Sequence, residues 1–99
     1  MTQETYQGTY LKHTVNSLAN ANEIAHVLDA KAVAWQIRTN GVACYVAYAT
    51  GTDTSDSKIA DGQSLGFLPA LDSTGTKIGL FIKPGGTSGT IEVLELVGR

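Results

Sequence analysis

Two alternating apolar runs flank a single Asn40-Gly41 in "AVAWQIRTNGVACYVAYA", residues 32–49. This feature constrains the fold most. Strand side chains point to opposite faces in turn, so Val33, Trp35 and Ile37 share one face, and Cys44, Val46 and Tyr48 share another. Asn-Gly is the strongest two-residue hairpin signal, since a type I′ turn needs φ > 0 at both central positions. The spacing predicts strands over 32–39 and 42–49, paired so that Thr39 meets Val42 and Trp35 meets Val46. In that register all six apolar side chains fall on one buried side, and a one-residue slip scatters them. Gly41 is expected at positive φ.

The rest of the chain reads as further strands and turns. Residues 50–58 form a polar loop, Asp61-Gly62 marks a turn, and Leu65 and Phe67 alternate with small residues up to Pro69, which suits an edge or a strand end. "DSTGT" (72–76) is a turn, and Ile78, Leu80 and Ile82 share a face in "KIGLFIK". "PGGTSGT" (84–90) is a Gly-rich connection. In "IEVLELV" (91–97), Ile91, Val93 and Val97 share a face with Glu95, while Leu94 and Leu96 sit opposite. A strand apolar on both faces commonly meets a partner on its outer side. Residues 15–28 partly fit a helical period through Val15, Leu18, Ile24 and Leu28. Thr14, Asn16, Asn20 and Asn22 are poor helix residues, which favours strands.

A chain of 99 residues suits one domain. Its charged fraction of 16% is low against a usual value of about 25%, and Thr, Ser, Gly and Asn fill the polar remainder. Six or so short strands with frequent turns point to an all-β fold, a small antiparallel β-sandwich of jelly-roll type over residues 13–99. Residues 1–12 carry too little apolar content to pack alone and read as an N-terminal arm. Its Tyr6, Tyr10 and Leu11, with Leu94 and Leu96 of the last strand, are the candidate interface residues.

The chemistry-bearing residues are sparse. The net charge is −2, and the seven Lys and Arg are scattered, so no run matches a row of phosphates and nucleic-acid binding is not expected. No basic amphipathic stretch suits a membrane surface, no apolar run approaches a membrane span, and residues 1–10 lack the pattern of a signal peptide. His13 and His26 lack metal-ligand spacing. Cys44 falls on the expected core face, as a small hydrophobe rather than a nucleophile. Asp53, Ser55, Asp56, Ser57 and Asp61 offer oxygens without the spacing of a calcium loop. "GGTSGT" lacks the Lys and the following helix of a phosphate loop. No catalytic, metal or cofactor residue is assigned.

The succession "VAWQIRTNGVACYVAYA", a Thr/Ser/Asp loop, "LGFLPAL", "TGTKIGLFI" and "GGTSGTIEVLEL" resembles the small β-sandwich proteins of tailed-bacteriophage virions, across residues 23–97. The usual mid-chain Pro-x-Gly of those proteins stands here as Pro69-Ala70-Leu71. The resemblance implies a non-enzymatic structural protein of the virion, made in the host cytoplasm. Such a protein decorates or cements the capsid, or forms a fibre, neck or tail piece. The implied partners are copies of itself, as a homotrimer by analogy, and the major capsid protein or another virion protein. No cofactor is implied. The alternative is a carbohydrate- or receptor-binding β-sandwich module, for which Tyr45, Tyr48 and Asp53 come nearest to a binding set and Trp35 is expected inside.

Overall fold

The computed structural model describes residues 9–53 and 56–98. Among these residues eight strands run in order: β1 (Thr9–Ser17), β2 (Ile24–His26), β3 (Ala32–Asn40), β4 (Cys44–Ala47), β5 (Ser57–Ile59), β6 (Ser64–Pro69), β7 (Leu80–Pro84) and β8 (Thr90–Gly98). They form two four-stranded sheets, ordered β1-β8-β3-β6 and β2-β7-β4-β5, with every pairing antiparallel. The all-β sandwich is therefore as the sequence predicts. Strand 1 pairs with 8, 2 with 7, 3 with 6 and 4 with 5. The chain is thus one long hairpin bent at the β4–β5 loop and wrapped into two layers, the jelly-roll arrangement.

The predicted hairpin is not formed. β3 lies between β8 and β6 in the first sheet, and β4 lies between β7 and β5 in the second. Both hydrogen-bonding edges of each strand are thus occupied by other partners. Asn40-Gly41 is instead a corner that carries the chain from one layer to the other. Among the described residues no non-glycine has positive φ, so Asn40 lacks the conformation of a type I′ turn. Gly41 does take φ 79°, as expected, and its N–H donates to Asp61 Oδ1 at 2.7 Å. The N–H of Thr39, assigned by the hairpin to Val42, donates to the carbonyl of Gln63 at 3.1 Å.

Four of the six side chains expected inside are buried. Trp35 and Ile37 point inward from the first sheet, and Cys44 and Val46 point inward from the second. The side chains expected side by side on one sheet meet face to face across the core. Val33 and Tyr48, also expected inside, are exposed. A bulge between Ala32 and Ala34 adds a residue at Val33, so that Ala32 takes the buried position. β4 ends at Ala47, which frees Tyr48 from the alternation.

β8 follows its sequence pattern closely. Ile91, Val93, Glu95 and Val97 all point into the core. The strand preference for residues 15–28 holds in part, with β1 and β2 in place and no helix in this stretch. The expected arm, residues 1–12, overlaps β1: Thr9 to Lys12 pair with Gly98 to Glu95 of the same chain. Residues 1–8 lie outside the described residues.

The corner is held by two glycines in contact. A Cβ on Gly41 would lie 3.5 Å from Gly89 Cα. One on Gly89, at φ 105°, would lie 2.8 Å from the Asn40 carbonyl oxygen and 2.9 Å from the Gly41 carbonyl carbon. Backbone atoms there cannot swing aside as a side chain could. Gly89→Ala is expected to cost about 2 kcal/mol or more, from positive-φ strain plus overlap. Denaturant titration checks this, and a midpoint equal to the parent's would show that the β7–β8 connection does not pack on the corner.

Candidate functional site

The outer face of the first sheet is built from three cross-strand rows. Leu11, Leu96, Ala34 and Pro69 are in register across all four strands. The next row holds His13, Leu94, Gln36 and Gly66, and the third holds Val15, Glu92, Arg38 and Ser64. Alternation puts Leu11, Leu96 and Ala34 outward because Lys12, Glu95 and Trp35 turn inward. The result is an apolar band at one end of the face and a charged group at the other. Leu11 is 53% exposed and Leu96 half-buried. In the charged group His13 Nε2 lies 2.6 Å from Glu92 Oε1, and Arg38 Nη2 donates to the same oxygen at 3.2 Å. The hydrogen bond with His13, then that from Arg38, holds the Glu92 carboxyl below its ordinary range.

The five expected interface residues separate. Leu11 and Leu96 stand together in the apolar band. Leu94 is only 7% exposed, covered within its own sheet, and offers little surface to a partner. Tyr10, opposite Val97, sits on the inward side of edge strand β1 and keeps 42% of its surface. Tyr6 lies outside the described residues.

Between the layers, Glu95 has no exposed surface. Its Oε2 lies 2.9 Å from His26 Nε2, and its Oε1 accepts the Asp29 N–H at 2.6 Å. Both contacts come from β2 and the β2–β3 connection, so the carboxylate fastens the centre of β8 to the opposite layer. Lys12 adds an outer contact to Asp29 at 3.5 Å. Sequence reasoning placed Glu95 on the face of Ile91, Val93 and Val97 without assigning a partner. A lone carboxylate among Ile91, Val93 and Val97 needs one, and that need was the available signal for His26.

At the opposite edge, a cleft of about 380 Å³ opens between β6 and the β4–β5 segment. Leu65 and Leu68 line one wall, and Tyr48, Asp56 and Ser57 line the other. The Trp35 and Tyr48 rings stand perpendicular with centroids 6.3 Å apart. Trp35 Nε1 donates to the Pro69 carbonyl at 3.2 Å, which fixes the indole. The sequence did not announce this cleft, since β5 and β6 are brought over the core only by the folding of the two layers. Tyr45 and Asp53, grouped with Tyr48 by sequence, are not among its lining residues.

The β4–β5 loop is tied down by Glu23, whose carboxylate accepts the Thr52 N–H at 2.8 Å, the Gly51 N–H at 3.0 Å and the Thr50 hydroxyl at 2.9 Å. The Thr52 N–H, then the Thr50 hydroxyl, holds this carboxyl below its usual 4.5. Because the folded-state value is lowered, the tie is complete above the ordinary range and is lost as pH falls through the lowered value. Cys44 is buried, and burial raises its thiol to about 11. Among the described residues no three His, Cys, Asp or Glu gather as a metal ion would need, and no helix is long and apolar enough to cross a membrane.

No family model matches the chain, and no curated protein or solved structure matches it either.

Two outcomes follow from the buried groups. Glu95→Ala leaves the Asp29 N–H and the His26 ring without their partner and is expected to cost about 3–5 kcal/mol. Denaturant unfolding measures this, and a loss below about 1 kcal/mol would mean that the carboxylate does not fasten the layers. Cys44, with its thiol raised from 9.0 to about 11, is expected to alkylate at pH 8 about 100-fold more slowly than a free cysteine. Iodoacetamide labelling followed by mass spectrometry reads the rate, and labelling at the free-cysteine rate would refute the buried placement.

Proposed function

We propose that this chain is a non-enzymatic structural protein of a tailed-phage virion, acting through contacts with copies of itself and with the capsid or another virion protein. The observation that carries the proposal is the apolar row Leu11–Leu96–Ala34–Pro69, which crosses the outer face of a sheet ending in the open edge of β1. A face that served only as a solvated back would carry polar side chains at these outward positions. The adjoining Glu92, His13 and Arg38 supply a charged border to the same face, in the pattern of an apolar contact with a polar rim. The sequence resemblance supports the virion setting, and the trimer rests on that analogy.

The unlike alternative, a carbohydrate-binding module, draws on a different part of the molecule, the cleft between β6 and the β4–β5 segment. It does not use the apolar band.

The reading is tested by the solution mass of the purified chain. A multi-subunit mass is expected, reverting to monomer in the double variant Leu11→Glu, Leu96→Lys, with the far-UV circular dichroism of the fold retained. The encoding gene is expected beside capsid, portal or tail genes. A monomer at high concentration that also fails to bind phage particles would overturn the proposal.

A further inference from the structure

We propose that the cleft between β6 and the β4–β5 segment binds one pyranose ring of a neutral saccharide. Its volume of about 380 Å³ lies toward the lower end for small-molecule pockets, which suits a single ring. Tyr48 is 58% exposed while Trp35, perpendicular to it, has no exposed surface. Tyr48 therefore offers a ring to solvent and is braced by a fully buried indole whose Nε1 donates to the Pro69 carbonyl. Leu65 and Leu68 make the facing wall apolar. The oxygen-bearing side chains Tyr48, Asp56 and Ser57 all come from the β4–β5 side. Asp56 is held in place through its Oδ2, which accepts the Asp53 N–H at 2.9 Å.

This polarity selects the ligand. Among the described residues the only charged side chain in the lining is Asp56, so phosphate and carboxylate ligands meet repulsion. A wholly apolar ligand would strip water from the Asp56 carboxylate and return no hydrogen bond. A quaternary ammonium is best held by several open ring faces, and here Tyr48 alone is exposed. A pyranose has an apolar C–H face to lie against Tyr48 and Leu65 and hydroxyl donors for the acceptors on one side. The site does not rest on the assembly reading, because none of Leu11, Leu96, Ala34 and Pro69 lines the cleft.

Trp35 is the only tryptophan in the chain, so its emission reports on this cleft. The full chain is titrated with glucose, galactose, mannose and N-acetylglucosamine, each up to tens of millimolar, and separately with tetramethylammonium chloride. At least one sugar is expected to give a saturable change with a dissociation constant of about 1 mM, a common strength for a single small ligand. Tyr48→Ala and Asp56→Asn are each expected to weaken that binding about tenfold or more, while Val27→Ser, at an exposed position in neither the apolar band nor the cleft, leaves it unchanged. Circular dichroism of the variants confirms that they are folded. The proposal is overturned if no sugar gives a saturable change, if binding survives both cleft substitutions, or if only tetramethylammonium saturates the signal.

Discussion

The carboxylate of Glu95, fully buried between the two sheets, is the contact on which the arrangement of the layers depends. Taking a carboxylate out of water costs several kcal/mol unless its oxygens are partnered. Here both are, by His26 and the Asp29 N–H. β2 is only three residues long and is an edge strand, so its ladder with β7 gives it little hold of its own. The carboxylate fixes it over β8, and β8 in turn is held between β1 and β3. Trp35, Ile37, Leu80 and Ile82 are among the largest fully buried apolar side chains, but apolar contacts are non-directional. The polar contact sets which part of one layer lies over which part of the other.

The nested pairing of 1 with 8, 2 with 7, 3 with 6 and 4 with 5 has a consequence for the surface. The strands β1 and β8 both lie in the first sheet, and the bend of the long hairpin lies in the second, where Glu23 holds it from the β1–β2 connection. The outer face of the first sheet is therefore made of the first and last strands together, and its apolar band joins residues more than eighty positions apart in sequence. The cleft lies at the other edge, between strands from the middle of the chain. The apolar band and the cleft thus use different side chains, and they approach each other only along β6, where Pro69 ends the band and Leu65 and Leu68 line the cleft.

The corner at Asn40-Gly41 shows how far a local signal reaches. Alternating apolar residues on both sides of a Gly-containing turn are required by a hairpin, where the two strands share one face of one sheet. The same alternation is required by a corner, where the strands face each other across a core. Only the neighbours decide: β3 has both edges occupied by β8 and β6, leaving none for β4. The Val33 bulge and the early end of β4 were likewise invisible, because each depends on what the partner strand presents.

The sequence by itself determined the all-β class, the inward positions of Trp35, Ile37, Cys44 and Val46, the inward Glu95 of β8 and the positive φ at Gly41. These follow from side-chain periodicity and from the steric freedom of glycine, which are properties of neighbouring residues. The pairing of strands, the partners of Glu95, the burial of Leu94, the apolar row and the cleft were decided by tertiary structure alone. Each depends on contacts between segments far apart in the chain. Periodicity states which face of a strand is buried, and carries no information about which strand buries it.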